Sequence, residues 1–233
     1  MFTKIKLQIN TMDNLALSTQ KACNALINAG LTEDGILGNA SNAATANLIA
    51  KLQNIFAQKN YIWGTNNLIG IRMSDAYTNE FTDYGAIITD TKLIAYPKST
   101  KPGLTYLNHP DNAAGCACLK EGQYVGMWNF VDAYGGWTGD PYMQQVGNCT
   151  IYREVNHGDS INRSSLINTG VFGINFHTWK NFNSNLVQNL SAGCQVMDEN
   201  VLVGELLPYI QQTFKGTQTT YTLLHINDFN VSA

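Results

Sequence analysis

The spacing of apolar residues divides the chain into two parts. Between Leu15 and Phe56, apolar side chains recur every three or four positions, which is the repeat of an amphipathic helix. The stretch from Gly30 to Gly38 interrupts this repeat with glycines and acidic residues, as turns do. We therefore expect two or three short helices in this part of the chain.

From Asn67 onward the pattern is that of β-strands. Short segments rich in β-branched and aromatic residues are separated by Gly, Asn, Asp or Pro, which is typical of strands joined by turns. The predicted strands are 68–72, 84–89, 91–96, 117–119, 123–128, 144–146, 149–153, 170–177 and 221–226, with a short helix at 200–210. The sequence thus predicts an α+β protein, with a small N-terminal helical subdomain at residues 1–62 and a β-rich domain at residues 63–233.

Composition and charge narrow the possible partners. Only 13% of the residues are charged and the formal net charge is -3, so no basic stripe is available for nucleic acid. No apolar run approaches the roughly 20 residues that cross a bilayer, and the first residues do not form a secretory signal. We expect neither a nucleic-acid partner nor a membrane span, and the oligomeric state stays open.

The cysteines suggest one free thiol and no metal. The chain has 5 cysteines, an odd number that leaves at least one unpaired, and Cys194 is the candidate. We interpret the other four as reduced packing residues. Cys116 and Cys118 are too close for ordinary metal-ligand spacing, and the remaining histidines are scattered, so we expect no metal and no cofactor.

Two residues suggest covalent chemistry. Cys194 ends the word Ser191-Ala192-Gly193-Cys194 and follows His177 after a short interval. A thiol is a nucleophile as thiolate, and a nearby imidazole lowers its pKa. Taken separately, each residue is more simply a structural group. Taken together with the residues around them, they predict a Cys/His dyad.

The words around the pair resemble a known family. The segments "GINFHTW" and "LSAGCQV" are similar to the L,D-transpeptidase (YkuD-like) signature, a strand ending in His-Gly-Thr followed by Ser-x-Gly-Cys. The resemblance implies a fold of that family with His177 as base, Cys194 as nucleophile, and Ser191 and Gly193 as catalytic-loop residues. The chain departs from the signature at Thr178, where the family has Gly. A second departure is Gln195-Val196, which replaces an apolar residue and an arginine.

We expect substrate contacts near this pair. The candidates are Arg153, Asn175, Gln195 and Thr178. The Arg153 guanidinium could anchor a substrate carboxylate in place of the family's arginine, because its planar fork matches that group. The alternative for Arg153 is a surface ion pair with Glu154 or Asp159.

Two further segments have partial resemblances. Ser99–Gly103 is similar to a Thr-x-x-Pro-Gly turn that borders the family's cleft, although a solvated turn is the interpretation we favour. The words "ALINAGLTEDGILGNASNAATANLIAKLQ" resemble a peptidoglycan-binding helical module, with Asp34-Gly35 and Gly38 at corresponding places. The alternative there is a helical bundle without a ligand.

The resemblances together imply a peptidoglycan-active cysteine enzyme. It would cleave or exchange peptide bonds of cell-wall stem peptides through an acyl-enzyme, as a phage-encoded or delivered lytic enzyme (endolysin). We expect it to be made in the cytoplasm and to reach the wall after lysis, by virion delivery or by injection. The alternatives are a non-catalytic cell-wall-binding or virion structural protein with the same fold, and an unrelated cysteine hydrolase.

Overall fold

The computed structural model describes residues 2–90, 92–132, 141–155, 157–178, 185–197 and 206–230. Its helices are α1 (Phe2–Ile27), α2 (Asn39–Gln58), α3 (Leu104–Asn108) and α4 (Leu207–Phe214), with a 3-10 helix at Ile226–Phe229. Its strands are β1 (Asn66–Arg72), β2 (Asp83–Thr89), β3 (Lys92–Lys98), β4 (Cys116–Leu119), β5 (Gly122–Val131), β6 (Tyr142–Gln145), β7 (Cys149–Glu154), β8 (Ile167–Gly170), β9 (Phe176–His177), β10 (Gln195–Val196) and β11 (Thr219–His225). The fold is α+β, as predicted.

The described strands form two sheets. The larger one has the order β10-β9-β6-β5-β11-β1-β2-β3, and the smaller one has the order β4-β7-β8. In the larger sheet, β11 pairs in parallel with β1 and antiparallel with β5. Among the helices in the described ranges, none is long and apolar enough to span a membrane.

The larger sheet is buried on both faces. Successive residues of a strand point to opposite faces, so Ile87 packs into a core with Trp128, while its neighbour Ile88 packs into a second core with Leu52 and Phe56 of α2. Burial on both sides explains why these strands have continuous apolar sequences rather than alternating ones.

The N-terminal helices share that second core with the sheet. The stretch predicted as two or three short helices forms two helices, and a turn joins α1 to α2. Gln20 of α1 is buried and fixes this turn, because its side-chain amide donates to Asp34 Oδ1 at 2.8 Å and accepts from the Gly35 N–H at 2.8 Å. The turn at Asp34-Gly35 therefore holds α1 and α2 together. A domain division at residue 62 stays a prediction.

The prediction of a single strand over residues 170–177 is wrong. Residues 170–177 were expected to be continuous, yet they divide between the two sheets. Gly170 ends β8, which pairs with β7 of the smaller sheet, and Phe176 begins β9 in the larger one. The connection between them turns at Gly173, which has a φ of 76°, a conformation that glycine adopts readily. Of the predicted helix at 200–210, residues 200–205 lie outside the described ranges, and α4 begins at Leu207.

Candidate active site

Parallel pairing of two short strands brings the predicted dyad together. β9 and β10 lie side by side at the edge of the larger sheet, with Val196 opposite His177. Cys194 directly precedes β10 and Asn175 directly precedes β9. The N–H of Gln195 donates to the Asn175 carbonyl at 2.8 Å, which fixes the register at the point where the cysteine emerges.

The Cys194 thiol and the His177 imidazole lie close enough for each to shift the pKa of the other. The Nδ1 atom of His177 lies 2.9 Å from the Thr178 carbonyl oxygen. Since a carbonyl only accepts, Nδ1 carries the proton, and Nε2 is left as the nitrogen that can take a proton from sulfur.

Electrostatics within this pair favour charge separation. Burial by itself raises the pKa of the Cys194 thiol, but the charge and hydrogen bond of His177, together with the Asn175 main-chain N–H, bring that pKa below its ordinary value. Burial lowers the pKa of His177, whereas the Cys194 thiolate and the Thr178 carbonyl raise it above its ordinary value. Both shifts favour a thiolate beside an imidazolium.

The other four cysteines lie in surroundings that disfavour a thiolate. All five are free, and four are buried while Cys194 is partly exposed. Burial raises the pKa of Cys23 and Cys118 to about 11 and that of Cys116 and Cys149 to about 12. Their interpretation as reduced packing residues is confirmed. Cys194 is the cysteine whose surroundings favour reactivity.

Ser191 and Gly193 shape the loop that presents the thiol. Gly193 has a φ of 125°, and its N–H donates to Ser191 Oγ at 3.1 Å, while the Ser191 hydroxyl donates to the Cys194 carbonyl at 2.8 Å. The Gly193 amide is therefore occupied. The Cys194 S–H itself points toward the Gly173 carbonyl, with sulfur 3.3 Å from that oxygen.

Three predicted substrate contacts lie behind the pair. Gln195 is fully buried, and its side-chain oxygen accepts from the Tyr221 hydroxyl at 2.7 Å. Thr178 is buried, and its hydroxyl has no hydrogen-bond partner among the described residues. The side-chain oxygen of Asn175 accepts from the Gln145 N–H at 2.8 Å, which ties β9 to β6. Gln195 and Thr178 are thus buried away from solvent, whereas Asn175 is partly exposed.

Arg153 is buried and makes no ion pair with Glu154 or Asp159. It donates to Asn168 Oδ1 at 3.0 Å and to the Gly115 carbonyl at 3.2 Å, and its guanidinium stacks 5.2 Å from the centre of the Phe172 ring. Phe172 precedes Gly173, whose carbonyl faces the Cys194 sulfur. Arg153 is thus placed beside the segment that flanks the thiol.

The Ser99–Gly103 segment is buried, so its interpretation as a solvated turn is wrong. The Ser99 N–H donates to the Val196 carbonyl at 2.8 Å, and the Gly103 N–H donates to the Ser191 carbonyl at 2.9 Å. The segment therefore supports both β10 and the cysteine loop. Lysines at 98 and 101 suggest a surface turn in sequence, yet both are buried.

Tyr106 of α3 is a neighbour that the sequence did not reveal. The pKa of its hydroxyl is raised, first by burial and then by Asp111, Cys194 and Cys116, so the ring lies close enough to the thiol for their charges to interact. α3 is far from the dyad in sequence, and no motif marks it.

No family model matches the sequence, and no curated protein matches it. Within the described ranges, no group of three or more His, Cys, Asp and Glu residues is placed to hold a metal ion. The site is therefore interpreted from its own geometry.

Proposed function

We propose that this chain is a cysteine enzyme that forms an acyl-enzyme on Cys194. The observation that carries the proposal is the contrast among the five thiols. Four are buried with raised pKa values, whereas Cys194 is partly exposed and lies beside an imidazole that lowers its pKa. A partly exposed, activated thiol beside a base oriented by a third group is the arrangement that nucleophilic catalysis requires.

The proposed reaction begins with proton transfer from Cys194 to Nε2 of His177. The thiolate then attacks a carbonyl carbon, and the imidazolium returns the proton to the leaving amine as the carbon–nitrogen bond breaks. The thioester is resolved by water in hydrolysis or by a second amine in transfer. Because Ser191 occupies the Gly193 amide and the Asn175 N–H is directed at the sulfur, stabilisation of the oxyanion would fall to the main-chain N–H of Cys194.

The proposed substrate is the stem peptide of bacterial peptidoglycan. The support for this substrate is the resemblance of the words around His177 and Cys194 to the L,D-transpeptidase signature, together with the weaker resemblance of the helical segment to a wall-binding module. A guanidinium beside the site, at Arg153, suits the carboxylate that ends such a stem. The enzyme would act at the wall after lysis or delivery.

The second candidate is a non-catalytic wall-binding or virion structural protein. The observation that favours it is the same occupied Gly193 amide, since an acyl-transfer site usually leaves its loop amides free for the oxyanion. The two candidates differ in whether Cys194 is needed for any change in the polymer.

Mass spectrometry of muropeptides after incubation with the protein tests the proposal. Loss of a terminal residue, cut crosslinks and new crosslinks are separate products, and each should disappear with Cys194→Ala while the fold is kept. Cys23→Ala is the matched control, because Cys23 lies in the helical core and its loss should cost stability only. Products that persist with Cys194→Ala would overturn the proposal, and the absence of products with the wild-type protein would favour the second candidate.

A further inference from the structure

A buried lysine lies behind the dyad. Lys98, at the end of β3, is fully buried, which is rare for lysine unless it is paired. Its Nζ lies 3.1 Å from the Tyr221 hydroxyl, and 5.1 Å and 4.9 Å from the ring centres of Phe176 and Tyr221. No carboxylate is within ion-pair distance of Nζ among the described residues.

The lysine is connected to both strands of the site. The Tyr221 hydroxyl, which accepts from Lys98, donates to the side-chain oxygen of Gln195 at 2.7 Å. Gln195 follows Cys194, and Phe176 precedes His177. These two neighbours of the dyad face each other across the β9–β10 pair, so Lys98 contacts one of them directly and the other through a single hydroxyl.

Space for this hydroxyl is provided by Gly70 of β1. A β-carbon at Gly70 would collide with the Tyr221 oxygen. The space for the hydroxyl is thus built into the centre of the sheet, where the residues of β1 on either side of Gly70 are large and aliphatic.

The protonation state of Lys98 determines which way the Tyr221 proton can point. An ammonium group has three donors and no acceptor, so beside it the tyrosine must donate elsewhere, and Gln195 is its acceptor. A neutral amine has a lone pair that can accept the tyrosine proton, which leaves the Gln195 oxygen without that donor.

We propose that Lys98 is a positioning residue of the Cys194–His177 site, which through Tyr221 anchors Gln195 and so holds the cysteine strand in place. This inference rests on the proposed function only in taking that pair as the functional site. Desolvation lowers the pKa of Lys98 to about 7, with Asp83 raising it and Arg72 lowering it. The anchor is therefore expected to weaken as the pH rises through neutrality.

The charged and titratable groups around Lys98 come from several strands. Asp83 is its register partner on β2, Arg72 lies on β1, and Tyr221 lies on β11. The Asp83 carboxylate makes its ion pair with Lys101, at 3.4 Å. Tyr96 of β3 is also buried, with no partner for its hydroxyl, and its pKa is raised by burial. Lys98 contacts Phe176 of β9 directly, and its pKa lies near neutrality.

Alkylation of Cys194 by iodoacetamide, followed by peptide mass spectrometry from pH 5 to 9, tests this role without any substrate. The ratio of the wild-type rate to the Lys98→Met rate should change about fivefold between pH 6 and pH 8, the effect of roughly one net hydrogen bond. Lys21→Met, which removes a charge from an exposed lysine of α1, should give a constant ratio.

A double-mutant cycle separates positioning from a general structural effect. With Tyr221→Phe in the background, Lys98→Met should no longer change the pH profile, because the link between lysine and Gln195 is already absent. If Lys98→Met does not fold, Tyr221→Phe alone should show the same change of ratio. A ratio that is constant with pH, or a Lys98 effect that persists in Tyr221→Phe, would overturn the inference. Absence of muropeptide turnover would count against the proposed function only.

Discussion

The main chain of Gly193 lies directly against the carbonyl of Ala117. A β-carbon at Gly193 would collide with that oxygen, and the residue also has a φ of 125°. The cysteine loop therefore fits against β4 only because position 193 has no side chain. This contact places β4 of the smaller sheet against the loop that carries Cys194.

Gly193→Ala should consequently destabilise the protein and misplace the thiol. The strained backbone alone costs on the order of 1 to 3 kcal/mol, and the collision with β4 adds to it. Thermal unfolding should shift to lower temperature, and the rate of Cys194 alkylation should change. Gly158→Ala is the control, since a β-carbon there meets nothing within 4 Å. Equal effects of the two changes would contradict this account.

His177→Asn should raise the pH at which Cys194 becomes reactive. His177 is the largest of the influences that lower the pKa of the thiol, and once it is removed, burial alone raises that pKa. Alkylation of the wild-type protein should rise with pH through a pKa below the ordinary thiol value, whereas the variant should rise only at higher pH. Overlapping profiles would show that the imidazole does not activate the sulfur.

Turnover, where it is measured, should follow a bell-shaped pH profile. The thiolate is present above the lowered pKa of Cys194, and the imidazolium that protonates the leaving amine is lost as the pH rises through the raised pKa of His177. Activity should be highest between these two values. A rate that keeps rising at alkaline pH would mean that His177 does not act as the acid.

Lys98→Met should remove part of the pH dependence of stability. The pKa of Lys98 is about 7 in the folded protein against 10.5 for the free side chain. The unfolded state thus binds more protons between these values, and the free energy of unfolding rises with pH across that window. The full cost, on the order of 3 kcal/mol or more, applies below pH 7. Urea unfolding from pH 6 to 10 should show a smaller slope for Lys98→Met and the wild-type slope for Lys21→Met.

Removal of residues 1–62 should unfold the remainder. α1 and α2 cover a sheet face that includes Ile69, Ile71 and Ile88, and exposure of such a face favours aggregation. Increased binding of a hydrophobic dye and loss of near-ultraviolet dichroism would report the change. Leu52→Ala offers a milder test, with an expected cost of about 2 to 5 kcal/mol. A folded fragment 63–233 would instead support a division at residue 62.

Local patterns in the sequence predict much of this fold, and long-range contacts account for what they miss. The strands around Ile69, Ile87 and Tyr124 follow from their runs of β-branched and aromatic residues. The dyad is detectable because His177 and Cys194 are close in sequence and have distinctive neighbours.

The features that the sequence did not predict depend on tertiary contacts. Residues 170–177 are rich in apolar and aromatic side chains, and nothing local indicates that Gly173 carries the chain from one sheet to the other. Lys98 and Lys101 suggest solvent exposure until Asp83 and Tyr221, distant in sequence, are seen to surround them. Tyr106 lies near the thiol because Gly103, which precedes α3, pairs with the cysteine loop.

The position of β11 between β1 and β5 also has a consequence for folding. These two strands do not pair with each other, so residues 219–225 connect the interior of the sheet between the half under α1 and α2 and the half that contains Cys194 and His177. A second, smaller connection is the bridge between Ser99 and Val196 at the outer strands. On the ribosome, both halves are synthesised before the strand that connects them. We expect this late, non-local closure to be a slow step in folding, and a chain interrupted before Tyr221 to present two exposed strand edges instead of a finished site.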